Sequence, residues 1–126
     1  MMRPRCGVAC AFLIALAAAA TAMELVRDGA PVATVVVERE TPAKPRGRRR
    51  RGGFRSDADA AGVLVEWVRK ITSAELPVAD VAPKGKPAIY VGAAAVKAGL
   101  ALGGIQSPTK EGVRIVADGG RVLIAG

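Results

Sequence analysis

Three β-branched apolar side chains follow one another at Val35-Val36-Val37, inside the run Val32–Val37. A strand sends successive side chains to opposite faces, so a run without alternation has no face to give to water. Such a strand belongs in the interior of a sheet, covered on both sides at least at its centre. That requirement fixes the rest of the reading, because the remaining segments must supply neighbours for the strand and a cover for the sheet.

Neighbours are easy to find. Glu24–Arg27 reads as a short strand, joined to Val32–Val37 through the turn dipeptide Asp28-Gly29. Ala88-Ile89-Tyr90-Val91 is a second buried strand, ended by Gly92. Gly112–Ala117 and Arg121–Ala125 are two more, joined by Asp118-Gly119-Gly120, a strong hairpin signal. Val78–Val81 is a short edge segment.

The cover is helical. Ser56 suits an N-cap, with Asp57 and Asp59 in the first turn where the helix dipole favours anions. Ala61, Leu64, Trp67, Val68 and Ile71 recur at helical spacing and define an apolar face. Arg69 and Lys70 suit the C-terminal end, and Pro77 closes the segment by pushing its predecessor out of the helical region. Ala93–Leu102 reads as a second, short helix stopped by Gly103-Gly104. The order ββ–α–β–α–ββ predicts an α+β fold, a two-layer sandwich in which two helices pack on a mixed β-sheet.

The ends of the chain and its charge bound the chemistry. Arg3 and Arg5, the apolar stretch Val8–Ala19 and the small-x-small site Ala20-Thr21-Ala22 read as a cleavable export signal over residues 1–22, which predicts a secreted or periplasmic protein. The apolar run is shorter than the roughly 20 residues a spanning helix needs, so no stable membrane anchor is expected. The only cysteines, Cys6 and Cys10, leave with that signal, and the chain has no histidine. Residues 23–126 therefore have no thiol nucleophile, no Ser-His-Asp triad and no ordinary zinc site. No cofactor or metal is expected.

Seven basic residues lie between Lys44 and Arg55. Without these and the leader's two arginines, the 19 basic residues fall to ten against 11 acidic ones, a net charge of −1. The high basicity belongs to one segment, 41–55, which has little to bury and reads as a loop. Arg46, Arg48, Arg49, Arg50, Arg51 and Arg55 form a candidate anion-binding loop. Export argues against nucleic acid as the partner and leaves acidic polysaccharide or anionic surfaces. A tolerated loop insertion is the plainer reading.

Other candidates have plain explanations. Glu38 and Glu40 share a strand face, as a glycosidase pair would, but solvated charges at a strand end explain them better. Asp57 and Asp59 suit a helix start better than a metal site. Trp67 and Tyr90 read as core. Gly92 before a helix is a weak anion-site signal, without a phosphate-loop or dinucleotide pattern.

Several stretches in order carry a resemblance. They are Leu25–Gly29 with Ala33–Val37; Ala60-Ala61 and Val65–Thr72 with Ala74–Pro77; Pro87–Gly92; and Glu111–Ile115 with Leu123–Gly126. Residues 23–126 resemble the N-terminal accessory domain of secreted glycoside hydrolases: the alpha-glucuronidases, the bacterial beta-hexosaminidases, and related large secreted bacterial proteins. The resemblance implies a zincin-like α+β sandwich without zinc, lying ahead of a TIM barrel that holds the catalytic carboxylates. It carries no catalytic residue onto this chain. The basic segment replaces a short acidic or neutral link of the family. The family continues past the last strand into a further helix and the barrel, so here the last strand is expected to leave an apolar face uncovered.

Overall fold

The computed structural model describes residues 23–39, 56–106 and 112–126. The predicted export signal and the arginine segment lie outside them. Nine elements follow in order: β1 (Val26–Arg27), β2 (Ala30–Pro31), β3 (Thr34–Val37), α1 (Asp57–Thr72), β4 (Val78–Ala79), β5 (Ala88–Val91), α2 (Ala93–Lys97), β6 (Arg114–Asp118) and β7 (Arg121–Ala125). Five strands form one mixed sheet in the order β4-β3-β5-β7-β6. The pairs β3–β4, β3–β5 and β5–β7 are parallel, and β6–β7 is an antiparallel hairpin. The α+β class with a mixed sheet is as the sequence predicts.

All four residues of β3 are buried, as the valine run requires. In register, Val35, Ile89 and Val122 line up across β3, β5 and β7, as do Val37, Val91 and Ile124. Their side chains share one face, where they pack with Ala61 and Val68 of α1 and with Leu76. The alternate row, Val36, Tyr90 and Leu123, faces the other way. Ala94 packs there with Val36, and Ala95 and Leu100 with Leu123. The helices thus take opposite faces, and the short α2 adds a partial third layer to the expected two.

Two boundaries differ from the sequence reading. The stretch Val32–Val37 is not one strand. Pro31 lacks an N–H, and the N–H groups of Val32 and Ala33 both bond to the Leu25 carbonyl, at 2.9 and 3.2 Å. That knot bends the chain, so β1 and β2 form a separate two-stranded ribbon and β3 starts afresh at Thr34. Helix α2 ends at Lys97 rather than Leu102, because Gly99 takes φ +109° and the Leu100 N–H turns back to the Ala95 carbonyl.

Helix α1 is capped as its sequence indicates. The Ser56 hydroxyl accepts from the Asp59 N–H at 3.2 Å, and Ser73, in the left-handed region, donates its N–H to the Arg69 carbonyl. Its buried stripe is Ala61 and Val68, flanked by half-buried Leu64 and Val65. Trp67 and Ile71 are not in the core: they are 58% and 78% exposed. At 100° per residue they sit too far around the helix from Ala61 and Val68 to reach the sheet.

Candidate functional site

In open α/β sheets, functional groups gather beyond the carboxyl ends of parallel strands. Here β3 and β5 deliver their ends side by side, and the starts of both helices converge on them. The Asp57 carboxylate, at the first turn of α1, accepts from the Ala93 N–H at 2.8 Å, joining the two helix starts. Gly92, at φ +64°, makes that approach possible. The Gly92 signal is therefore answered from within, since the chain's own Asp57 fills the anion position.

On the α2 face beside this junction lies an open cleft of about 700 Å³. Val36, Tyr90 and Ala94 give it an apolar floor, and Glu38, Arg39, Asp80, Lys97 and Arg121 line its rim. Glu38 accepts from the Lys97 ammonium, and Arg39 pairs with Asp80 at 3.6 Å. Arg121 donates to the Ala98 carbonyl and to Asp118, both at 3.2 Å. Both carboxylates of the cleft are thus paired with cations. Glu40, the other half of the sequence-level acid pair, lies outside the described residues. So do Arg46, Arg48, Arg49, Arg50, Arg51 and Arg55. Among the described residues no group of three or more His, Cys, Asp or Glu could hold a metal ion.

Asp80, Lys97 and Arg121 were not visible in the sequence as partners. They come from a strand end, a helix end and a hairpin, so no spacing links them. Tyr90 is half-buried between two apolar clusters rather than fully enclosed.

A second surface is apolar. Gly62, Val65, Glu66 and Arg69 of α1 border Val78 of β4, so that flank of the helix faces the β4 edge. Helical geometry then turns Ala60, Leu64, Trp67 and Ile71 toward the β7–β6 side. Beneath that side, Val122 and Ile124 are half-buried, and Val113 and Ile115 are 63% and 66% exposed. The exposed apolar side chains of α1 and of the terminal hairpin thus lie on one side of the sheet, uncovered among the described residues. Single exposed apolar residues are ordinary, but several on one side of a domain are what a packing surface would offer.

Lys70 caps the outer side of that corner. Its ammonium lies 5.1 Å from the Trp67 ring centre and 2.8 Å from the Glu66 carboxylate. The hydrogen bond from Lys70 lowers the Glu66 pKa from its ordinary value. A carboxyl lowered by folding contributes stability above its unfolded pKa and loses it as pH falls through the folded one. NMR titration should find Glu66 below the ordinary glutamate range, and returned upward in Lys70→Ala.

No family model, curated protein or solved structure matches the chain.

Proposed function

We propose that this chain is the non-catalytic N-terminal domain of a secreted glycoside hydrolase-like protein, of the alpha-glucuronidase or beta-hexosaminidase type, that degrades polysaccharide. Its task is to pack against a neighbouring helix and catalytic barrel and to hold them in place. The observation that carries this reading is the uncovered corner formed by Trp67 and Ile71 on α1 and by Ile115 and Val113 on the terminal hairpin. Strand β7 is interior to the sheet, and a helix following it would lie across that corner, as the resemblance implies.

The test is the DNA immediately after the codon for Gly126. The reading predicts an in-frame sequence encoding an amphipathic helix and then a (β/α)8 pattern. A stop codon with no such frame downstream would overturn it.

A further inference from the structure

Strand β6 is an outer edge of the sheet, and its five residues contrast with the two of β4 at the opposite edge. Short edges and edges broken by lysine, proline or bulges resist pairing with other chains. β6 has none of these. Its residues after Arg114 are all exposed.

The hairpin decides which backbone groups are free. Asp118 and Arg121 close a two-residue turn, so they form a hydrogen-bonded pair. Alternation then turns the N–H and C=O groups of Arg114, Val116 and Asp118 toward β7 and those of Ile115 and Ala117 outward. Among the described residues, no backbone partner meets them on that side.

We propose that this edge pairs with a second copy of the chain, antiparallel, about a two-fold axis through Val116. In that register Ile115 exchanges its outward bonds with the partner's Ala117, and Val116 meets the partner's Val116. Arg114 lies directly opposite the partner's Asp118, and the reciprocal pair repeats it across the axis. Moving the axis to Ile115 would also satisfy the backbone, but it would set Arg114 against the partner's Val116 and leave both charges without a cross-strand mate. The charge pattern therefore selects one register and one occupant, a second copy, since an isologous contact must complement itself. Arg114 spends one NH1 and one NH2 bond on the carbonyls of Ala101 and Gly103, so it is held in the sheet with donors to spare. Asp118 is well exposed beside Arg121. The contact uses the backbone edge of β6 and shares Ile115 with the α1-side corner, but it does not depend on the accessory-domain reading.

The test is sedimentation equilibrium of the full chain through the micromolar range. A monomer–dimer equilibrium is expected. Arg114→Asp and Asp118→Arg each set like charges opposite one another twice per dimer and should weaken it about ten-fold or more. The double variant restores both pairs in reverse and should recover the dimer to within about three-fold. Ala117→Pro, which removes an outward donor without changing charge, should abolish it, and circular dichroism separates loss of pairing from loss of fold. A chain that stays monomeric throughout overturns the proposal. So does a dimer that ignores the single charge reversals or is not rescued by the double one.

Discussion

Gly92→Ala is expected to lower the unfolding free energy by about 3–5 kcal/mol in urea titration. Two costs add. Gly92 sits at φ +64° and ψ −127°, a region that residues with a Cβ scarcely enter. The added Cβ would also lie 2.0 Å from the Asp57 side chain, so the carboxylate must leave the Ala93 N–H it bonds. Native domains hold only about 5–15 kcal/mol in all, so this single methyl group would consume a large share. Asp57→Ala in the same background removes the collision. The double variant should therefore lose less than the two single changes added together, leaving mainly the backbone strain. A Gly92→Ala protein within about 1 kcal/mol of wild type would refute the junction between the two helix starts.

The second large effect is at Leu76. It is 1% exposed and among the largest fully buried side chains, although it lies between α1 and β4 rather than in either. It plugs the α1 side of the sheet with Val35, Val68 and Ile89. Truncation to alanine removes its transfer energy and leaves a void between a helix and a sheet that cannot both collapse, for a loss of about 3 kcal/mol. Val78→Ala, two residues on and 55% exposed, should stay within about 0.5 kcal/mol. Thermal or urea unfolding of the pair reads the contrast. Equal losses would mean that the apolar cluster is centred elsewhere.

These two residues mark the limit of what could be read from the chain alone. The valine run announced a strand buried on both faces, and Asp118-Gly119-Gly120 announced the hairpin, because each signal is local and has one physical solution. Ser56 with Asp57 and Asp59 announced the helix start for the same reason. Leu76 carried no periodicity, since it belongs to no element. Trp67 and Ile71 satisfied a loose helical spacing, yet the sheet reaches only the narrower stripe of Ala61 and Val68. The link from Asp57 to Ala93 spans 36 residues, and the cleft collects Glu38, Asp80, Lys97 and Arg121 from four places. Such groupings are set by strand order, which a pattern of hydrophobicity does not specify.

The export signal and the basic segment stay as sequence readings. The uncovered corner has a stronger bearing on function, because exposing Trp67, the chain's single tryptophan, together with Ile71 and Ile115 makes physical sense for a domain that meets another.

Hydroxyl-radical footprinting of that corner is the most direct measurement. It compares the 126-residue chain, at a concentration where it would be monomeric, with a product extended through any in-frame sequence that follows Gly126. Protection of Trp67, Ile71 and Ile115 in the extended protein, with Val81 on the far edge labelled equally in both, is the expected result. Equal labelling of Trp67 and Ile71 in the two proteins would contradict the assignment of this chain as a packing domain for a neighbouring catalytic unit.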